Sequence, residues 1–304
     1  MTTSIELEKS PIACSEECLI RPGNTNCGGC GMSVGLNLLS RALAKAGQRC
    51  ELVIPACCGI VTAGGYPTTG YSVPVLASTF AASPAFASGV AAVRDLNNEP
   101  QQVICWAGDG GTYDIGMATL SAAAERNENF IYICYDNEIY GNTGGQRSSA
   151  TPVGAKTTTT PSGKIESKKD IMAIMAAHRI PYAATLSAAH PEDFLRKLDT
   201  GLHMNGFRFF LIHSPCPTGW KSEPAESIEL VRLAVSSGLF PVYEVFDGWR
   251  YRINIKPTGA DPVEYYRRQN RFPIDAMDLD AIRKHASASN ERLARLAAVF
   301  PVAN

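Results

Sequence analysis

Two stretches place oxygen-bearing side chains at the ends of apolar runs. In WAGDGGTYDIG, residues 106–116, Asp109 sits between Gly108 and the pair Gly110 and Gly111. In YDNEIYGNTGGQ, residues 135–146, Asn137 closes a second apolar run, and Asn142 and Thr143 lie in a glycine-rich turn. Glycine lets a backbone approach a ligand closely and adopt positive φ. A carboxylate repels a phosphate, so Asp109 beside an anion calls for a cation between them. Mg2+ suits that place, because it takes octahedral oxygen ligands, one or two from protein and others from phosphates. The side-chain oxygen of Asn137 and a backbone carbonyl near Ile139 would complete the protein's share. A helix starting near Asp114 would aim its N–H groups at the same point and favour an anion there.

The cysteines form a second set. The chain has ten of them, and the N-terminal residues show no apolar stretch of the secretory kind. A disulfide framework then explains them poorly, and metal or redox chemistry explains them better. Cys27 and Cys30 make a CxxC, Cys57 and Cys58 are adjacent, and Cys216 lies in HSPCPTGW. Cys50, Cys105 and Cys134 fall in apolar runs and read as inert core thiols. Cys14 and Cys18 have no assigned chemistry. A CxxC alone favours structural zinc, with buried thiols as the other reading.

These residues need elements to hold them. QQVICWAGDGG reads as strand and turn, DIGMATLSAAAERN as helix, and NFIYICYDNE as strand. That βαβ unit implies a parallel sheet with ligands at the strand C-termini. MSVGLNLLSRALAKAG, AASPAFASGVAAVRDL, KKDIMAIMAAHRI and HPEDFLRKLDTGLHM have helical spacing. ELVIPACCGI, IPYAATLSA and GFRFFLIHSPC read as further strands, the last as the final central one. The fold class expected is α/β, a doubly wound, mostly parallel sheet with a C-terminal extension. The division expected is an irregular arm over 1–26, a ligand-binding domain over 27–220, and an extension over 221–304 that docks another subunit. Residues 62–79 and 141–168 read as long polar loops, a length that is often functional. His213 reads as a satisfied core residue, and Tyr251, Tyr265 and Tyr266 as part of the docking tail. The formal net charge is −1, which argues against nucleic acid. No apolar run is long enough to span a bilayer, so a cytoplasmic location is expected.

Taken together, WAGDGGTYDIG…YDNEIYGNTGGQRSSATP, CGGCG, KTTTTPSGK and HSPCPTGW resemble the thiamine diphosphate-binding β subunit of the 2-oxoacid:ferredoxin oxidoreductases, the pyruvate synthase family. The likeness is greatest to the four-subunit type and runs from about residue 22 to about residue 245. It implies thiamine diphosphate and Mg2+ held by Gly108, Asp109, Gly110, Gly111, Asn137, Ile139, Asn142 and Thr143, with Cys57 alongside. The Mg2+ ligands would be Asp109, Asn137 and Ile139. It implies a 4Fe-4S cluster on Cys27, Cys30, Cys57 and Cys216, with Cys58 as the competitor of Cys57. Asn142 would take the catalytic position beside the thiazolium. The reaction implied is oxidative decarboxylation of a pyruvate-like 2-oxoacid to acyl-CoA and CO2. Electrons would pass through 4Fe-4S clusters to ferredoxin, or to NAD through a partner. Subunits of the α, γ and δ type are expected, one of them carrying the glutamate that activates the cofactor. Gly141 stands where pyruvate-type relatives carry a bulkier residue, which raises an aromatic substrate such as phenylglyoxylate as an alternative. Met32 replaces an acid of single-chain relatives. A non-oxidative thiamine enzyme and a zinc-stabilised non-catalytic subunit are the competing readings.

Overall fold

A computed structural model describes residues 18–62 and 69–302. Residues 1–17 of the expected arm, with Cys14, and the middle of the 62–79 loop lie outside the described residues; Cys18 is disulfide-bonded. Eight strands form one sheet in the order β2-β1-β3-β4-β6-β5-β7-β8. They are β1 (Cys50–Ile54), β2 (Val75–Ala77), β3 (Gln102–Gly108), β4 (Ile131–Asp136), β5 (Tyr182–Leu186), β6 (Arg208–His213), β7 (Val242–Phe246) and β8 (Arg250–Ile255). The first six run parallel, and β7 and β8 add on antiparallel beyond β5. The α/β, mostly parallel class expected from the sequence is the one observed.

The central strands β4 and β6 are buried at every position. That is why IYICYD and RFFLIH are near-continuous apolar runs rather than alternating ones: both faces are covered by helices. One face packs under α1 (Gly31–Ala46), where Leu36, Leu39 and Leu43 meet Trp106, Ile133 and Phe210. Met32 is buried in this same layer. Gly47, at φ 62°, ends α1 in the left-handed conformation that glycine tolerates. The other face packs under α3 (Ser83–Asn97), α4 (Met117–Glu125) and α5 (Ile171–Ala177), around Tyr132, Phe207 and Phe209. Cys50, Cys105 and Cys134 are buried, as their apolar runs imply. Among the described residues, no helix is long and apolar enough to cross a membrane.

Two features depart from the sequence reading. A short strand, β2, lies inside the Gly/Pro-rich segment expected to be loop, because Leu52, Val53 and Ile54 of β1 pair with Val75–Ala77. The sheet also does not stop at β6. The segment after residue 220 supplies β7 and β8 to the same sheet, and α9 (Pro262–Arg267) buries Tyr265 and Tyr266 against the core. α10 (Leu279–Val299) then runs as the last helix.

Candidate active site

Four neighbouring strands, β1, β3, β4 and β6, point their C-terminal ends to one edge of the sheet. The residues singled out in the sequence follow those ends: Cys57 and Cys58 after β1, Asp109 after β3, Asn137 after β4, and Cys216 after β6. The turn after β3 is tighter than expected. Gly108, Gly110 and Gly111 are absent from the positive-φ residues, and Asp109 is already helical at φ −58°, ψ −40°. The chain passes straight from strand into the π-helical turn Gly110–Asp114. The glycines instead make room for rings. A Cβ at Gly110 would fall 1.7 Å from the ring of Tyr140, one at Gly108 3.2 Å from Tyr135, and one at Gly111 3.4 Å from Phe80. Tyr140 is held over the turn by its hydroxyl, which donates to Asp114 Oδ2 at 2.7 Å. Asp114 also accepts from Ser149 N at 3.1 Å. It therefore works as the tie between the two strand-end loops, and the helix begins earlier, at Gly110.

Asp109 is only 2 % exposed. Its carboxylate accepts from the Ser148 hydroxyl. Burial, and then the neighbouring Asp136, hold it well above the usual carboxylate range. A buried carboxylate beside a second carboxylate is expensive unless a cation joins it. That arrangement fits a divalent ion. The turn after β4 carries two further oxygens. Asn137 Oδ1 accepts from Ile139 N at 3.3 Å, and the Ile139 carbonyl accepts from Gly141 N at 2.9 Å, so each oxygen keeps a lone pair. Between them Glu138 adopts φ 63°, a conformation costly outside glycine. Asp136 supports it by accepting from Glu138 N at 3.1 Å. Asn142 and Thr143 sit exposed at the tip of the hairpin closed by the Tyr140–Gln146 bridge. There Thr143 Oγ1 donates to Gln146 Oε1 at 2.5 Å.

Among the described residues no three or more His, Cys, Asp or Glu side chains are arranged to hold a metal ion; the cysteines come near one another more loosely, with one change from the expected set. Gly31 N donates to Pro215 O at 2.9 Å, which docks the CGGC loop against the turn that carries Cys216. A Cβ at Gly31 would fall 2.5 Å from Pro215 N, and one at Gly29 2.4 Å from Pro224 O, so the CGGCG stretch needs glycine at 29 and 31. Cys58, not Cys57, faces this group. The Cβ position of Gly141 lies 3.6 Å from Cys216 Sγ and 3.9 Å from Cys58 Sγ. Burial pushes the Cys58 thiol up to about 12, with Cys216, Cys57, Cys30 and Cys27 adding to the rise. Cys57 turns away: burial raises it, and the Tyr135 hydroxyl and the Gly108 backbone hydrogen-bond its sulfur. Adjacent residues at a helix start point in different directions, and spacing alone could not choose between them. Cys216 Sγ accepts from Gly219 N at 3.4 Å and is pushed up to about 11, chiefly by burial. Cys58 and Cys216, both driven away from the charged form by burial, suit a positively charged, thiolate-binding centre.

The Gly141 geometry also bears on substrate. The space it leaves open borders Cys216, Cys58 and Asn137 Nδ2. A Cβ here would meet these three groups at ordinary contact distance.

Several site residues were not visible in the sequence. Lys168 bridges Asp136 Oδ2 at 2.7 Å and Glu138 Oε1 at 3.0 Å. Arg271 reaches Glu138 Oε2 at 2.5 Å from the region beyond residue 220. Burial alone would raise Glu138, but Lys168 and Arg271 outweigh it and hold the carboxyl down at about 2. Trp220 donates from Nε1 to Asn137 O at 2.7 Å, joining the Cys216 turn to the Asn137 turn. His213 is less satisfied than expected: Nε2 meets the Tyr265 hydroxyl at 3.1 Å, whereas Nδ1 has no partner among the described residues. Tyr265 and Tyr266 are core residues rather than a surface docking patch.

Residues 57–213 match the family described as thiamine pyrophosphate enzyme, C-terminal TPP binding domain. A ketoisovalerate oxidoreductase subunit VorB of Pyrococcus horikoshii is 43% identical over 293 residues, covering 91% of this chain and 93% of its own. A pyruvate synthase subunit PorB of Methanothermobacter thermautotrophicus is 44% identical over 265 residues, covering 84% and 90%. A solved structure of 2-oxoglutarate:ferredoxin oxidoreductase from Magnetococcus marinus shares the fold, with TM-score 0.62 at 21% identity, over 91% of this chain and 97% of that one.

Proposed function

This chain belongs to the thiamine diphosphate-binding β subunits of the 2-oxoacid:ferredoxin oxidoreductases, and from that premise we propose how its residues divide the work. The chain is the catalytic β subunit of a hetero-oligomeric 2-oxoacid oxidoreductase. Asp109, Asn137 and the Ile139 carbonyl hold Mg2+ against the diphosphate, with the N–H groups of the turn after β3 facing the same anion. Cys27, Cys30, Cys58 and Cys216 hold a 4Fe-4S cluster beside it. Bound there, thiamine diphosphate supplies carbanion stabilisation for decarboxylation, and the cluster supplies a one-electron acceptor.

The rest is positioning. Tyr140 and Asp114 fix the two strand-end loops relative to each other. Ser148 orients the Asp109 carboxylate. Asn142, exposed at the hairpin tip, is placed to hydrogen-bond a substrate that enters from a partner subunit's side. The observation that carries this reading is the shared edge: the Asp109 and Asn137 turns and the cysteine turns follow adjacent strands and touch through Trp220 and Gly141. Relatives of nearly equal identity are named for ketoisovalerate and for pyruvate, so the substrate proposed is a small aliphatic 2-oxoacid, with coenzyme A taking the acyl group. Ferredoxin is the proposed acceptor, and partner subunits complete the site.

The test is anaerobic purification of the native complex, with iron, sulfide, zinc and thiamine analysis. The visible spectrum is then recorded after pyruvate, 3-methyl-2-oxobutanoate or phenylglyoxylate, each with coenzyme A. Iron, sulfide and thiamine with bleaching by an aliphatic acid is the expected result. Bleaching by phenylglyoxylate alone would overturn the substrate class, and a colourless complex containing zinc would overturn the cluster.

A further inference from the structure

We infer that Arg271 is a positioning residue that sets the reduction potential of the centre held by Cys27, Cys30, Cys58 and Cys216, and that Glu138 sets it in the opposite direction. The inference rests on the cluster reading above. Arg271 lies in the segment after residue 220, outside the family match over residues 57–213. Its side chain is fully buried. Nη2 donates to Glu138 Oε2 at 2.5 Å, and Nε donates to Gln269 Oε1 at 2.9 Å. Nη1 has no hydrogen-bond partner among the described residues.

The guanidinium carbon lies over Trp220, 4.5 Å from the ring centroid. Trp220 ends the short helix that begins just after Cys216, and its backbone N donates to Cys216 O at 2.7 Å. The cation is thus seated on the tryptophan of the turn that carries one thiol.

Arginine stays charged at any relevant pH. A buried positive charge favours the form of the centre that has gained an electron, and the low dielectric keeps that effect from being screened. Glu138 opposes it, because the carboxylate partly cancels the guanidinium. Lys168 and Asp136 form a second opposite-charge pair on the other side of Glu138. The polar base of the site is therefore balanced, and removing one charge leaves a net field.

The test is an EPR-monitored redox titration of the whole purified complex carrying Arg271→Gln, Arg271→Lys or Glu138→Gln. Iron content is measured on the same samples. The R271Q complex is expected to show one signal whose midpoint moves to more negative potential, with other centres unmoved. R271K, which keeps the charge, is expected to stay near wild type. E138Q is expected to move the same signal to more positive potential. A wild-type midpoint in iron-replete R271Q overturns the inference. If R271Q does not assemble, E138Q decides: an unmoved or more negative midpoint overturns it equally. A wild-type complex with zinc and no cluster signal would instead defeat the cluster reading on which this rests.

Discussion

The turn after β3 and the turns that carry the cysteines share one edge of the sheet, yet they are built in opposite ways. The Asp109 turn is closed. Its carboxylate is buried, and Tyr135, Tyr140 and Phe80 of the same chain pack where glycine side chains would be. The cysteine turns are open. Cys27 is exposed, and Cys30, Cys58 and Cys216 are half-buried. The difference teaches where each half depends on neighbours. Mg2+ demands near-octahedral oxygens shared among protein, phosphates and water, so its few protein ligands must be held fixed, whereas an electron carrier gains from an approachable face.

Substitutions can break that contrast. The largest effect is expected from Asp109→Asn. Loss of a direct ligand should cost more than the roughly 10–100-fold typical of an outer-shell partner. Thiamine content and turnover should fall together while iron stays, which chemical analysis of the purified complex checks. Cys58→Ser should do the reverse, losing iron and sulfide while thiamine stays. Gly110→Ala comes next. The added methyl would meet the Tyr140 ring, so the closed turn should lose roughly 1–3 kcal/mol as overpacked cores do, read as a lower midpoint in denaturant. Gly141→Met sharpens the contrast from the open side: iron retention should drop, with the preference between pyruvate and phenylglyoxylate unchanged.

The smallest effect concerns pH. Burial lowers His213 to about 4 from 6.5. Between those values the unfolded chain binds more protons than the folded one, so stability should be full above about pH 6.5 and fall as pH drops toward about 4. A His213→Gln complex should show a flatter fall over that window in thermal unfolding.

Much of this was legible in the chain. The βαβ unit from residue 102 to 136 could be read because its strands are buried on both faces and its helix is small-residue rich. Asp109 and Asn137 could be placed at strand ends from the apolar runs before them, and the roles given to them and to the CxxC came from the family resemblance. Other parts were hidden for physical reasons. Cys57 and Cys58 differ only in the direction each side chain takes at a helix start. The glycines after β3 serve ring packing, which depends on Tyr140, thirty residues further on. Arg271, Tyr265 and the strands β7 and β8 act through contacts far along the chain, with no local pattern to announce them. The tail looked like an extension because its charged and aromatic residues have exposed-looking composition, yet they close the base of the site.

Decarboxylation chemistry and electron acceptance are proposed to share this one sheet edge. This sharing is tested most directly by adding pyruvate or 3-methyl-2-oxobutanoate, without an external acceptor, to anaerobic wild-type, Cys57→Ser and Cys58→Ser complexes. The cluster's visible absorbance is followed in each. Bleaching is expected in wild type and in C57S, and none in C58S. Bleaching in C58S equal to wild type, with C57S silent, would contradict it.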